Sequence, residues 1–437
     1  MNLTERLRSV VHPRGTAAPN PPHLRRPGST ESLDGGGPAS HDCIAETLGG
    51  EWRDRGGLCH LVVDRTYRAG YRLGRVAVAD CLPGEDGRWH RLGLLMTSGD
   101  ASKRPAGPLL FLDLETTGLA GGAGTYAFLV GCGWFDGGVF RVRQFVLTSF
   151  GAERSLLEDV AALIDAAGVL VTYNGKTFDA PLIDTRFLFH RLPPPCSALP
   201  HIDVLHPARR LWRPDVDREL GPMPSCRLSL MEQTILGHVR DDDVPGFEIP
   251  SRYFQFVRSG DACGLAAVLE HNRLDLLALA MLTARAGHLL DEGAPAARTA
   301  REALGLGHLY ERGGCISDAR ACFVRAIELD ADPLTHVEAL RAYAVLCRRE
   351  RRYADAAEAW HQILATNGCP PRLTQEAIEA LAVHHEHRVR DLANARQFAL
   401  QSLQFKVSRS RVQAVHHRLA RIDRKLESSA LLSAPLF

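Results

Sequence analysis

The amino-acid sequence predicts an α/β domain built on a mixed sheet, followed by an all-α domain of helical repeats. Three observations support this fold class. Strand-like and helix-like apolar segments alternate between residues 107 and 190, and a repeating helical texture begins after residue 298. The length of 437 residues corresponds to two or three domains, at about 100–200 residues per domain.

The average composition conceals an uneven distribution of charge. Apolar residues make up 45% and charged residues 24%, as in ordinary soluble proteins. The formal net charge is +1, but residues 1–104 carry +3, residues 105–287 carry −5 and residues 288–437 carry +3. An acidic centre between basic flanks does not exclude a nucleic-acid partner.

Composition also bears on the cellular compartment. The sequence contains no run of about 18 uncharged apolar residues, so it predicts no membrane span. The N-terminus lacks the pattern of a signal peptide. The 11 cysteines are scattered singly, with no Cys-x-x-Cys pair, which is typical of reduced thiols. We therefore expect a cytoplasmic protein without membrane contacts.

The first hundred residues contain two differently composed segments. Residues 1–41 are expected to be disordered, because residues 12–41 hold six prolines and five glycines and little surface that could be buried. Residues 42–104 are predicted to form a small β-rich lead-in with strand-like segments at Leu58–Asp64 and Leu92–Met96.

Residues 105–287 are predicted to form the α/β domain. Its elements follow in the order of three strands, a helix, a strand and a helix, and Gly137-Gly138 marks a hairpin. This order fits an antiparallel meander with a helical crossover to the next strand. The predicted elements are Leu109–Glu115, Tyr126–Trp134, Val139–Leu147, Glu153–Ala166, Val169–Tyr173 and Pro181–His190.

After a helical linker near Gly287–Ala297, residues 298–427 are predicted to form three tetratricopeptide-like helical pairs. Glu-Ala-Leu opens each pair, and the second helices align through Ala319, Ala356 and Ala395. Small residues at such positions let paired helices pack closely. An unrelated helical bundle is the alternative.

Two carboxylates stand at the end of the first predicted strand of the α/β domain. Asp113 and Glu115 are two residues apart and therefore project to the same face. Such a pair is costly at the end of a core strand unless it is neutralised, and Mg²⁺ prefers carboxylate oxygens with water and phosphate. A solvated strand end with incidental acids is the alternative.

Two further motifs carry acids. Asp179 ends the segment Tyr173–Asp179 and precedes Pro181, so it is either a helix start or a third metal carboxylate, with Asn174 and Lys176 able to reach phosphate. His271 and Asp275 are four residues apart on an apolar helical stretch and share a face. A surface pair is the alternative there.

Together these residues resemble the four-acid (DEDD) 3′–5′ exonucleases of the RNase H-like superfamily. The resemblance covers about residues 107–287, and Tyr173–Asp179 resembles the proofreading motif of B-family DNA polymerases. The third motif, His271–Asp275, departs from both main subtypes of these exonucleases. It has the spacing usual for the tyrosine subtype but carries the histidine of the other subtype. The residues in question are Asp113, Glu115, Asp179, His271 and Asp275.

A narrower resemblance extends over the whole chain, to the YprB-type RNase H-like proteins. Some members of that family carry tetratricopeptide repeats after the nuclease domain. The segments that carry the resemblance are Asp113–Tyr126, His201–Trp212, Cys226–Pro250 and His271–Asp275.

The resemblance implies hydrolysis of phosphodiester bonds at a DNA or RNA 3′ end. The four acids would hold two Mg²⁺ or Mn²⁺ ions about 3.5–4 Å apart, and His271 would orient or deprotonate the attacking water. Without metal the four carboxylates would repel one another. Residues expected to contact nucleic acid are Thr116, Thr117, Asn174, Lys176 and Phe178.

Two other functions stay open at this point. One is a non-catalytic scaffold, in which the repeats bind a protein partner and the nuclease fold regulates or binds nucleic acid without cleaving it. The other is endonucleolytic cleavage, because end selectivity depends on the shape of a groove.

The C-terminal segment and two acidic motifs complete the candidates. Residues 388–425 hold ten Arg or Lys and two Asp, and Arg411 and Arg418 lie off the apolar stripe. This segment is a solvated cap on the repeats or a phosphate-binding surface. His201, Asp203 and His206 resemble a metal cluster by composition, but we expect a structural or substrate-groove role for them, and a solvated loop at Asp241–Asp243.

Overall fold

The computed structural model describes most of the chain. The expected disorder of residues 1–41 lies outside the described part except at His41, and so do residues 119–123 within the segment Asp113–Tyr126. The described residues are 41–82, 89–96, 107–118, 124–213, 226–405 and 409–433, with side chains described up to residue 428.

A seven-stranded sheet forms the framework of the N-terminal half. The strand order is β1-β2-β7-β6-β5-β8-β9, with every neighbouring pair from β1 to β5 antiparallel and β8 and β9 parallel to β5. A separate two-stranded hairpin is formed by β3 and β4. The strands are β1 Glu51–Arg55, β2 Leu58–Tyr67, β3 Arg72–Leu73, β4 Val76–Ala77, β5 Leu109–Thr116, β6 Ala127–Asp136, β7 Val139–Val146, β8 Val169–Thr172 and β9 His201–Asp203.

The predicted mixed sheet and the order of its elements are confirmed. Segment ends shift by one or two residues, as helix and strand ends commonly do. The strand predicted from Leu58 is also present, and as β2 it pairs with β7, so part of the lead-in extends the same sheet. The strand predicted at Leu92–Met96 is wrong. Leu92–Leu95 forms a 3₁₀ turn, because a short apolar run does not separate a buried strand from a buried turn.

Helices cover both faces of the sheet. One apolar core joins Leu112 and Leu114 of β5 to the first helices, and a second joins Phe111 to the end of the long helix α7. The helices of this half are α1 His41–Leu48, α2 Glu153–Asp165, α3 Asp179–Phe189, α4 Leu205–Leu211, α5 Leu228–Met231, α6 Ile249–Ser259 and α7 Cys263–Glu292.

The C-terminal half is all-helical, as predicted. Its first six helices form three consecutive pairs, and Ala319, Ala356 and Ala395 are buried in the second helix of each pair. Asp332 caps α10 by accepting hydrogen bonds from the N–H groups of Leu334 and Thr335. The helices are α8 Ala300–Arg312, α9 Ile316–Glu328, α10 Pro333–Arg349, α11 Tyr353–Ala365, α12 Pro371–His384, α13 Leu392–Ser402 and α14 Arg409–Ser433.

Within the described ranges, no helix is both long and apolar enough to cross a bilayer.

Candidate active site

Strand β5 presents two carboxylates at the carboxyl end of the central sheet. Leu112 and Leu114 are buried, so the alternating residues Asp113 and Glu115 face the other side, where both are half-buried. The pairing of β5 with β6 shifts register directly after Glu115. The strand end therefore fixes both side chains on one face, as the sequence predicts.

Asp179 begins α3, after a loop that leaves the neighbouring parallel strand β8. Asp203, at the end of β9, is buried and accepts hydrogen bonds from the backbone N–H groups of Asn174 at 2.7 Å and Lys176 at 3.2 Å. Asn174 adopts a left-handed backbone conformation with φ of 66°. Asp203 thus holds the loop that delivers Asp179, which is the structural role considered for it.

Helix α7 crosses the sheet above the two carboxylates of β5. Asn272 Nδ2 donates to Asp113 Oδ2 at 2.7 Å and to the Asp113 carbonyl at 3.2 Å. The crossing requires a glycine on β6, because a Cβ at Gly131 would lie 2.2 Å from Asn272 Oδ1. One turn along the helix, Asp275 Oδ2 lies 3.6 Å from His271 Nε2.

The segment before α6 adds charged contacts to the site that the sequence does not predict. Arg240 is only 5% exposed and donates to Asp275 Oδ1 at 2.5 Å and to Glu232 Oε2 at 2.8 Å. Asp243 Oδ1 lies 2.6 Å from His271 Nδ1. Asp243 is exposed in a loop, as expected, but its contact with His271 is not predicted by the sequence, since loop contacts of this kind depend on the tertiary fold and leave no periodic signal.

The four predicted acids lie close enough together for their charges to act on one another. Burial raises the pKa of Asp113 well above its ordinary value, and the charges of Asp275, Glu115 and Asp179 raise it further. Burial followed by the charges of Asp275, Asp179 and Asp243 raises the pKa of Glu115. Burial, then the charges of Asp203 and Asp275, raise the pKa of Asp179 to about 7.

The four carboxylates are chemically suited to a hard divalent cation, because such ions prefer carboxylate oxygens as ligands. The raised pKa values of Asp113, Glu115 and Asp179 mark a cluster that lacks compensating positive charge. Asp275, however, is paired with Arg240. In the described part of the chain, no three His, Cys, Asp or Glu side chains are already arranged as a metal site.

The residues expected to contact nucleic acid fall into two places. Five of them lie at the end of β5 or in the loops that adjoin the carboxylates: Thr116 Oγ1 donates to the Gly118 carbonyl, Thr117 Oγ1 accepts from the Tyr126 N–H, and Phe178 is 60% exposed. The five are Thr116, Thr117, Asn174, Lys176 and Phe178.

Arg411 and Arg418 lie elsewhere, on the last helix, α14. Arg411 Nη2 donates to Glu379 at 2.8 Å, and Arg418 Nε lies 3.8 Å from Glu386. Glu386 also pairs with Arg421 at 2.7 Å and with Lys425. These contacts link α14 to the third helical pair, and they do not bring the two arginines to the carboxylates.

Comparison with known proteins agrees with this geometry. Residues 110–286 match the RNase_H_2 family model, described as RNase_H superfamily. The chain is 31% identical over 343 residues to the uncharacterized protein YprB of Bacillus subtilis (strain 168), which covers 78% of this chain and 80% of the relative.

A solved structure also matches, the family B DNA polymerase of the hyperthermophilic archaeon Pyrobaculum calidifontis. The TM-score is 0.34 at 12% identity, over 56% of this chain and 29% of the polymerase chain. The match thus spans less than a third of the polymerase.

The sheet, its topology and the family match define an RNase H-like domain. Such a domain indicates a nuclease that binds nucleic acid, and nucleases of this superfamily generally use divalent metal ions. The chain belongs to the YprB family.

Proposed function

We propose that this protein is a divalent-metal-dependent 3′–5′ exonuclease of the four-acid type, acting on single-stranded DNA or RNA. One observation carries the proposal: four carboxylates from three separate elements converge on an RNase H-like sheet, where burial and the neighbouring negative charges raise the pKa values of Asp113, Glu115 and Asp179. The four acids are Asp113, Glu115, Asp179 and Asp275.

The four carboxylates would hold two Mg²⁺ or Mn²⁺ ions, which supply an activated water and stabilise charge on the leaving oxygen. The protein's own contribution includes placing His271. Asp243 contacts its Nδ1 at 2.6 Å, so Nε2 faces the cluster, 3.9 Å from Glu115 Oε1 and 3.6 Å from Asp275 Oδ2.

This arrangement suits His271 to the role of general base. A proton accepted at Nε2 creates an imidazolium that Asp243 stabilises from the opposite ring nitrogen. Asp243 is therefore a positioning residue, acting through His271. The exposed ring of Phe178, next to Asp179, offers a face on which a terminal base can stack.

The test uses 5′-labelled DNA and RNA strands with Mg²⁺, with Mn²⁺ or with EDTA. We expect a ladder that shortens from the 3′ end and that disappears in Asp113→Ala and Asp275→Ala. A circular single strand serves as the control, because an exonuclease leaves it intact. Cleavage of the circle would indicate an endonuclease, and equal cleavage by wild type and both variants would exclude the proposed site.

A second candidate function is binding of nucleic acid without cleavage, within a scaffold whose helical pairs bind a protein partner. The contact between Arg240 and Asp275 at 2.5 Å favours it, because a guanidinium already neutralises one of the four acids. Calorimetric titration with Mn²⁺ discriminates the two. Absence of both metal binding and hydrolysis in the wild type would support the scaffold.

The proposal also includes the domain organisation of the chain. We assign the nuclease domain to residues 105–287 and tetratricopeptide-like repeats to residues 298–427, in a cytoplasmic protein. The close packing of small residues supports the repeats: a Cβ at Gly307 of α8 would lie 2.4 Å from the Phe323 ring of α9.

A further inference from the structure

A cleft rich in arginine lies between α4 of the RNase H-like domain and the first helices of the three helical pairs. Its volume is about 610 Å³. The lining carries six arginines and two glutamates, Glu338 and Glu376, for a formal net charge of +4. The arginines are Arg209, Arg210, Arg213, Arg301, Arg341 and Arg372.

The two glutamates neutralise only two of these arginines. Arg301 donates to Glu338 at 2.8 Å, and Arg341 donates to Glu376 at 2.8 Å. The other four arginines are exposed, and none has an acidic partner within the described residues. Four guanidinium groups therefore face one cleft with their charge uncompensated, an arrangement that attracts a polyanion.

The cleft is held open by a close junction between α4 and α8. A Cβ at Gly305 would lie 2.2 Å from the Arg210 carbonyl, so the two backbones touch. Trp212 Nε1 donates to Glu302 Oε1 at 2.9 Å, which ties the end of α4 to the same helix. The backbone that carries the arginines of α4 is thus fixed before any ligand binds, which lowers the ordering cost of binding.

Helix α4 also links the cleft to the loop that precedes Asp179. Helix α4 follows β9, whose Asp203 holds the loop at Asn174. Arg209 lies close enough to Tyr173 that its charge opposes the rise in the Tyr173 pKa caused by burial. A strand whose end reaches Asp179 would therefore pass Tyr173 and Arg209 on its way to the cleft.

We propose that this arginine cleft binds the phosphate backbone of single-stranded nucleic acid, on the 5′ side of the bond that is cut. The 5′ direction rests on the proposed exonuclease function. Guanidinium groups match phosphate geometry through paired N–H donors. Continuity with the carboxylate site favours a nucleic-acid strand over an acidic polypeptide as the occupant.

Binding of a 5′-fluorescein 20-nucleotide strand, measured by anisotropy in EDTA over a range of NaCl concentrations, tests the cleft. The variant Arg209→Ala/Arg210→Ala/Arg372→Ala removes three unpaired arginines. Each phosphate contact on a single strand contributes about 0.7 to the slope of log K against log salt. We therefore expect the slope to fall by about 2, with affinity reduced about tenfold or more at low salt.

The matched control Arg68→Ala/Arg258→Ala/Arg348→Ala removes the same charge from exposed positions that neither line the cleft nor belong to the basic C-terminal segment. We expect its affinity and slope to stay close to those of the wild type. Equal binding by the cleft variant and the wild type at every salt concentration would overturn the proposal, and so would an equal loss in the control. Wild-type binding of a 20-residue polyglutamate but not of the strand would assign the cleft to acidic polypeptides instead.

Hydrolysis assays distinguish a failure of the cleft proposal from a failure of the proposed exonuclease function. In Mn²⁺, the cleft variant should keep wild-type kcat/KM on a dinucleotide and lose about tenfold on the 20-nucleotide strand. If strand binding depends on the cleft but no hydrolysis occurs, the cleft proposal is supported. The exonuclease function and the 5′ direction are then refuted. Hydrolysis with cleft-independent binding would refute the cleft alone.

Discussion

Asp179→Asn should stabilise the metal-free protein, and increasingly so as pH rises. The pKa of Asp179 is raised from 3.8 to about 7, chiefly by burial and then by Asp203 and Asp275. Between these values the folded state holds a proton that the unfolded state has released, so stability falls as pH increases. A shift of about 3 units corresponds to about 4 kcal/mol above pH 7.

Asparagine carries no charge at this position, so the variant avoids that cost. We expect the free energy of unfolding in EDTA to exceed the wild-type value by up to about 4 kcal/mol at pH 8 and by about 1.5 kcal/mol at pH 5. Urea unfolding followed by circular dichroism measures both differences. Excess Mg²⁺ should narrow the gap, because a bound cation stabilises the ionised cluster.

Two results would refute this reasoning. One is a variant no more stable than the wild type at pH 8, which would mean that Asp179 bears no electrostatic cost in the fold. The other is a gain of equal size at both pH values, which would indicate better packing by the amide and not the loss of a charge.

Four further predictions concern separate parts of the chain. His271→Ala should slow hydrolysis by about 10²–10⁴ while calorimetry finds metal binding preserved; an unchanged rate would remove it as base. Asp243→Asn should cost about 10–100-fold and displace the pH–rate profile, which a purely structural residue would leave in place. Gly305→Ala should lower the free energy of unfolding by about 1–3 kcal/mol, since its Cβ would meet the α4 backbone at 2.2 Å; urea midpoints equal to the wild type would contradict this close contact. Arg411→Ala/Arg418→Ala should leave strand affinity in the anisotropy assay unchanged, because both arginines lie beside glutamates; weaker binding would restore α14 as a phosphate-binding surface.

The sequence predicts the framework of the site because its signals are local. The strand that ends at Thr116 begins with the apolar run Leu109–Leu112, and residue alternation alone places Asp113 and Glu115 on one face. The similar spacing of the helical pairs likewise follows from repeated small residues. Proximity of Asp179 and Asp275 to the strand end came only from the family resemblance, and the raised pKa values agree with it.

What the sequence does not predict arises from contacts between distant segments. Arg240 reaches Asp275 from an irregular loop whose path depends on the whole fold. The arginine cleft likewise combines Arg209 of α4 with Arg372 of α12, which no short motif connects. Both features depend on the tertiary positions of the residues, and charge counts along the chain do not reveal such positions.

The length of helix α7 has a consequence for how the protein can be divided. Its 30 residues carry His271, Asn272 and Asp275 near the middle. Its last turns share an apolar core with α8, and Tyr310 donates to the Leu290 carbonyl at 2.6 Å. A fragment that stops at residue 287 would truncate this helix and expose the core on which the site residues rest. The two halves are therefore not independent of each other. An RNase H-like fragment without the repeats would lose part of the apolar core that supports it.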